Sequence, residues 1–338
     1  MLTSHSGAPV VTQPMLAFFL VLFSFPLWAD AVGLYHYLGV EIAIFVLYAL
    51  GYNLLLGYTG LPSFGHGAFL GVGAYSYGLW QLGAYPNVFA GLIVAILAAG
   101  AAAGAVALFL SHRRGIYFAL MTIAFGQAFW FLAIRMRWLT GGEDGLLNIL
   151  RPKLDFGIAT VDLGSNVAVH YLLAIILAAV ILILWRLVHS PFGTALQAIR
   201  MNETRARFAG YRVWLIKWTV FTLSGAIAGL AGAFLAMTQE SAYPDVMSLH
   251  ASGFVVMMTL IGGGFVSFWG PVIGAIVFIL ARDVLGAATE TWLLWYGLLF
   301  MAVMVVEPEG VVGVWRRIVA RLRRPAAGAK AARREAIP

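Results

Sequence analysis

Apolar residues run along this chain in long unbroken blocks, and the polar residues gather between the blocks rather than alternating within them. A helical crossing of a bilayer takes about 20 predominantly apolar residues. On that measure the pattern predicts helices near residues 15–29, 38–57, 61–80, 88–110, 115–134, 168–188, 213–237, 252–268, 270–285 and 291–307. The expected fold class is an all-α polytopic membrane protein of about ten transmembrane helices. Residues 61–80 and the pair of segments around Gly270 are Gly-rich or short, which marks them as candidates for broken or re-entrant helices.

One stretch departs from the blocks. Residues 190–210, SPFGTALQAIRMNETRARFAG, are polar and basic yet carry helix signals at both ends. Ser190 offers an acceptor to the free N–H groups of a helix start, Pro191 suits the first helical position, and Gly210 suits a left-handed stop. A single helix of about 19 residues and roughly 28 Å is predicted. Phe192, Leu196, Ile199 and Ala206 fall near helical spacing on one side, with Gln197, Arg200, Glu203, Thr204, Arg205 and Arg207 around the rest. The plainer reading is an interfacial helix touching lipid phosphates. The sharper one is an element that docks into a soluble partner, favoured by Glu203 among the arginines and by the small Gly193, Ala195 and Ala198.

Composition narrows the class. Hydrophobic residues make up 62% of the chain, charged residues 10%, and mean hydropathy is +0.91, far outside the range of soluble domains. The net charge of +7 belongs to loops flanking the apolar blocks, so it reads as an orientation signal and not as a nucleic-acid surface. With ten spans and both ends inside, only Arg135, Arg137, Arg151, Lys153 and Arg282 of the 21 basic residues fall outside, leaving 16 on the cytoplasmic side. The expected organisation is a cytoplasmic segment at 1–14, a transmembrane domain at 15–315, and a basic cytoplasmic tail at 316–338, disordered beyond Pro325. No Lys or Arg precedes the first apolar block, so that block is expected to be retained as a span. The external loop 135–167 carries Glu143, Asp144, Asp155 and Asp162 and could meet a soluble protein.

Chemistry is sparse. There are no cysteines, the seven histidines show no metal-ligand spacing, and neither a nucleophile elbow nor a Gly-x-x-x-x-Gly-Lys loop is present. No catalytic residue, metal or cofactor is expected, and ATP-driven work would fall to another polypeptide. A carboxylate at mid-bilayer costs about 2.5–3.5 kcal/mol on insertion scales, and the spans as predicted hold none at depth. Glu41, Arg282 and Asp283 lie near outer ends, where anchoring or a local ion pair is expected. Asn53, His66 and Gln127 lie deeper and are candidates for lining a pathway, against the simpler reading of internal hydrogen bonding. Glycines paired at four-residue spacing, Gly67 with Gly71, Gly100 with Gly104, Gly225 with Gly229 and Gly270 with Gly274, point to close helix packing.

Several blocks in order, GYTGLPSFGHGAFLGVGAY (57–75), RGIYFALMTIAFGQ (114–127), LTGGEDGL (139–146), the 190–211 stretch, FTLSGAIAGLAGAFLA (221–236), LIGGGFVSFWGPVIGA (260–275) and PEGVVG (308–313), resemble the LivM-type permease subunits of branched-chain amino-acid ABC importers. The resemblance runs from about residue 45 to 313. It implies a bacterial inner-membrane complex of an M-type and an H-type permease, two cytoplasmic ATPase subunits and an extracytoplasmic binding protein. It also implies that 190–210 is a coupling helix, with Gly193, Ala195, Arg200, Glu203 and Gly210 at the matching positions. Related permeases carry branched-chain or other amino acids, urea and short amides, or aromatic acids, and the spans do not choose among them. An ion-coupled carrier and a membrane-embedded enzyme or scaffold are the readings from other classes; they lack, respectively, a deep carboxylate in the predicted spans and a catalytic constellation.

Overall fold

A computed structural model describes residues 12–83, 86–152, 154–155, 160–265, 267–306 and 309–322. The chain folds into helices α1 (Gln13–Trp28), α2 (His36–Asn53, continued by a wider π-turn at Leu54–Thr59), α3 (Gly67–Gln81), α4 (Val88–Leu110) and α5 (Gly115–Arg135). A short α6 (Arg137–Thr140) and a two-stranded hairpin (Leu154–Asp155 with Thr160–Val161) precede α7 (Asn166–Val188). Then come α8 (Pro191–Met201), α9 (Glu203–Phe208), α10 (Val213–Gln239), α11 (Leu249–Gly262), α12 (Gly270–Ala288), α13 (Trp292–Val306) and α14 (Gly310–Leu322). Among the described residues six helices are long and apolar enough to cross a membrane: α2 with its extension, α4, α5, α7, α10 and α12. The apolar α1, α11 and α13 are shorter.

Helix starts are fixed by side chains the sequence supplies. Asn87 Oδ1 accepts from the Ala90 N–H at 3.0 Å, Ser165 Oγ from Ala168 at 3.2 Å and Ser248 Oγ from Ala251 at 3.2 Å, each satisfying a donor that a helix N-terminus leaves open. The predicted spans therefore begin and end close to the observed helices, except at 61–80 and 252–268, where the chain breaks.

The core centres on α10, which packs against α4, α3 and α2. Burial from water does not drive helices together in lipid, so close contact depends on small residues. Gly225 and Gly229 face Ala103, Ala99 and Ala95 of α4, while Gly100 and Gly104 face Ala226 and Thr222 of α10. Gly73 meets the Gly229 backbone, and a methyl group on Gly232 would strike the Leu70 carbonyl of α3. The replacement Gly232→Val should therefore lower stability by about 1–3 kcal/mol through overpacking. Gly253→Ala, where no atom lies within 4 Å of the added carbon, should be neutral or slightly stabilising. Thermal unfolding followed by tryptophan fluorescence in detergent separates the two; equal midpoints would contradict the packing account.

Two helices start inside the body. Gly65 backs onto Gly126 and the Thr122 carbonyl, both near the middle of α5, and α3 begins two residues later. The Gly67 N–H donates to Ser252 Oγ at 3.0 Å, so the starts of α3 and α11 meet. From that point α3 runs to Gln81, whose amide donates to the Asn87 carbonyl beside the start of α4 at 3.1 Å. In the other direction α11 runs to Gly262, which packs on Gly270. Residues 60–66 thus re-enter from one face and residues 240–248 from the other. The Gly-rich pattern predicts the first; the second lies in what the apolar pattern leaves as a connection between spans.

At the far face from α8 and α9, Arg282 donates to Glu41 Oε2 at 2.6 Å, and the Tyr35 hydroxyl donates to Asp283 at 2.8 Å, the local ion pair expected there. Burial, followed by that hydrogen bond, pushes the Tyr35 phenol up to about 12. Glu143, Asp144 and Asp162 of the 135–167 loop are exposed; the side chain of Asp155 lies outside the described residues. Arg151 crosses from the same loop to the last carbonyls of α10, donating to Met237 at 2.8 Å and to Thr238, and pairing with Glu240 at 3.1 Å. The last difference is α14. Helix continues to Leu322 through the first part of the segment expected as a solvated tail, while residues 323–338 and 1–11 lie outside the described residues.

Candidate functional site

The 190–210 segment is two helices, not the single one predicted. Ser190 Oγ accepts from the Phe192 N–H at 3.2 Å, and a methyl group on Gly193 would collide with the Val188 carbonyl, so α8 folds tightly back on the end of α7. Ala195, Leu196 and Ile199 are buried beneath it. Helix stops at Met201 because Asn202 is extended (φ −164°) and its Oδ1 accepts from the Arg205 N–H at 2.9 Å, capping a new helix, α9. Gly210 adopts φ +90°, the left-handed stop expected of it.

Arg200 and Glu203 both bond to the body of the protein, Arg200 from an exposed position and Glu203 from a half-buried one. The Arg200 guanidinium donates to the Gly57 carbonyl at 2.5 Å and to the Phe265 carbonyl at 3.0 Å, and lies over the Phe265 ring at 4.8 Å. Gly57 sits in the π-turn that ends α2, and Phe265 in the break between α11 and α12, so one side chain ties α8 to both discontinuities. Partial burial lowers its guanidinium from the ordinary value, and no acidic group among the described residues lies within ion-pairing distance of it. A cavity of about 450 Å³ adjoins it, lined by Gly57, Gln197, Gly264, Ser267 and Phe268. Glu203 pairs with Lys217 at 3.4 Å and with Arg207 at 3.3 Å. The Lys217 side chain is fully buried and also donates to the Arg113 carbonyl of the α4–α5 connection. Besides Arg200, the segment presents outward Met201, 85% exposed, and Phe208, 88% exposed, with Thr204, Arg205 and Arg207 exposed beside them.

The three pathway candidates do not converge. Asn53 is buried with its amide against Gly57 and Gly264 and without a hydrogen-bond partner among the described residues. His66 is fully buried among Tyr48, Tyr52, Phe69 and Phe221, with Nε2 3.0 Å from Ser224 Oγ. Ser224 gives its own proton to the Gly51 carbonyl at 2.7 Å, so Nε2 is the donor and Nδ1 is left as a buried acceptor. Gln127 is half-buried on α5, next to Gly126, which packs on Gly65 beside His66.

Two polar residues outside the predicted spans sit deeper than their sequence position suggests. Asp245 lies in the 3₁₀ turn Pro244–Met247, and His250 in the first turn of α11; both are exposed. The Val246 carbonyl faces Gly67 and the Met247 side chain faces Gly71, which puts the turn roughly 15–21 Å from the far end of α3 at 1.5 Å per residue. Measured from that end, the distance is about half or more of a hydrocarbon core of about 30 Å. No local pattern marks this turn in the sequence, because the span read at 252–268 becomes the 14-residue α11 only in the folded chain.

Six helices long and apolar enough to cross a membrane, with others that break and meet inside the body, define a multi-pass helical membrane protein. The chain belongs to the family of branched-chain amino acid transport system permease components, whose model matches residues 35–306. It is 29% identical over 293 residues to the high-affinity branched-chain amino acid transport system permease protein LivM of Escherichia coli K12, covering 81% of this chain and 68% of that one. The Salmonella typhimurium LivM is 30% identical over 297 residues with the same coverage. A probable branched-chain amino acid transport permease protein LivH of Methanocaldococcus jannaschii is 25% identical over 307 residues, covering 81% and 90%. No solved structure matches. The protein is thus a permease subunit of an importer that works with further permease and ATPase subunits.

Proposed function

We propose that the chain is the M-type half of a translocation unit for branched-chain or related amino acids, pairing with an H-type permease. Two ATPases engage the complex beneath, and a binding protein delivers substrate above. The charge partition supports placing α8, α9 and both termini in the bacterial cytoplasm, and the acidic 135–167 loop outside, facing the binding protein. The permease domain then spans 15–315. With no nucleotide-binding loop in the sequence, the energy of transport comes from the ATPases.

The observation that carries this reading is the 190–210 segment. Gly193, Ala195 and Gly210 shape it, Arg200 and Glu203 anchor it from within, and the exposed Met201 and Phe208 are left as apolar anchors for an ATPase groove. A purely lipid-facing segment would not need Arg200 fastened to the transmembrane breaks and Glu203 fastened to the buried Lys217. Phe208→Asp should weaken ATPase association about thirtyfold, the effect of losing one interface hot spot, without changing the permease's unfolding midpoint. Co-purification and binding of the separately prepared ATPase measure this; unchanged affinity in both Phe208→Asp and Met201→Asp would remove the docking role. Transport by the chain alone under an ion gradient would overturn the importer reading.

A further inference from the structure

We propose that Asp245 and His250 form a headgroup site on the translocation pathway for a zwitterionic amino acid, Asp245 taking the ammonium group and His250 donating to the carboxylate. The proposal rests on reading the chain as an amino-acid permease. Its own support is the depth and exposure of the two side chains. A carboxylate at mid-bilayer costs about 2.5–3.5 kcal/mol on insertion scales, and ionisable residues there face protein or water-filled cavities. Asp245 is exposed at that depth, and among the described residues it has no ion-pair partner. The surface carrying it therefore cannot be bathed in lipid; it faces water or a partner permease across a pathway.

The chemistry around Asp245 fits one class of solute. His250, five residues on, is exposed at the start of α11 and supplies the complementary polar group. Tyr243 (41% exposed) and Leu249 (42% exposed) flank the pair and offer apolar surface for a hydrophobic side chain. The turn is packed from behind, with Gly67 and Gly71 against Val246 and Met247, and Ser248 caps the start of α11 on Ala251. Because 240–248 re-enters from the far face, the site lies where a solute delivered from outside reaches the middle of the membrane.

The chain has no cysteine, which makes the test direct. Single cysteines at Tyr243→Cys and Leu249→Cys, in the assembled importer in nanodiscs, should react with a charged methanethiosulfonate, while Ile175→Cys, exposed midway along α7, should not. Leucine should slow modification at both sites severalfold, with leucinamide and 4-methylpentanoate, each lacking one charge, protecting less. Adding Asp245→Asn should abolish protection at Leu249→Cys and raise the KM for leucine about tenfold to a hundredfold, the equivalent of one charged hydrogen bond, with ATP hydrolysis per molecule transported unchanged. Asp245→Glu should restore part of it. Cysteines at 243 and 249 as inert as that at 175, or reactive without leucine protection, would overturn the site. Failure of the ATPases to assemble on the chain would instead overturn the permease reading, whatever the labelling shows.

Discussion

Arg200→Ala in the assembled importer is expected to reduce uptake per ATP hydrolysed by about a hundredfold or more while the chain still inserts and binds its ATPases. The guanidinium makes two charge-assisted hydrogen bonds, to the Gly57 and Phe265 carbonyls, and each such bond contributes roughly 1.5–3 kcal/mol. Loss of even about 3 kcal/mol from the link between α8 and the two breaks corresponds to more than about a hundredfold in a rate that depends on it. The link is specific in what it joins. Gly57 lies in the π-turn that ends α2 and Phe265 in the break just past the end of α11, where carbonyls lack intrahelical partners, and a cation is the group that helix C-termini favour. A motion imposed on α8 by an ATPase therefore reaches the π-turn of α2 and the α11–α12 break through a single side chain. Arg200→Lys should be intermediate, since an ammonium can satisfy one carbonyl but cannot span both in a planar fork or lie flat on Phe265. Reconstituted complexes, with uptake and hydrolysis measured in the same vesicles, give the ratio directly. A wild-type ratio in Arg200→Ala would show that force travels by another route.

Much of this arrangement was legible from the chain. Spans such as 88–110 stand out because Asn87 caps the start and no polar residue interrupts the apolar block. The identities of Arg200 and Glu203 also stand out, as charges in a helix between two spans. Their direction does not. Arg200 bonds to carbonyls 143 and 65 residues away in sequence, and no local pattern encodes such a partner. The break at Asn202 was concealed for a different reason: Asn followed by Glu is a helix-start signal, but Ile199 and Ala206 keep helical spacing across it and mask the stop. The 316–322 stretch reads as tail because arginines dominate it, although Val314, Trp315 and Ile318 recur at helical spacing and are exposed on one side of α14. Re-entry at 240–248 depends on where α3 and α11 start relative to one another, a property of the packed body and not of either segment.

Glu203→Ala is the change expected to cost most in stability, lowering it by about 3–5 kcal/mol and the unfolding midpoint on the order of 10 °C. The reason lies in the partner. Lys217 has no exposed side-chain surface, and Glu203 is the acidic group paired with it; removing the carboxylate strands an ammonium in the protein interior with the Arg113 carbonyl as its remaining acceptor. Removing Arg207, whose side chain is 70% exposed at the other side of the same carboxylate, should cost only about 0.3–0.5 kcal/mol, the usual worth of a surface pair spaced four residues apart. The double change Glu203→Gln with Lys217→Met should recover most of the loss, because replacing both members of a buried pair avoids the stranded charge. Tryptophan fluorescence on heating reads all four proteins, the chain carrying 11 tryptophans and needing no label. The rescued double variant also separates stability from coupling. Glu203 starts α9 and Lys217 holds it to the α4–α5 connection, so the pair fixes where Phe208 stands relative to Met201. If position is what the pair supplies, the double variant should unfold near the wild-type temperature yet bind the ATPase more weakly; wild-type affinity would show that α8 alone sets the docking geometry.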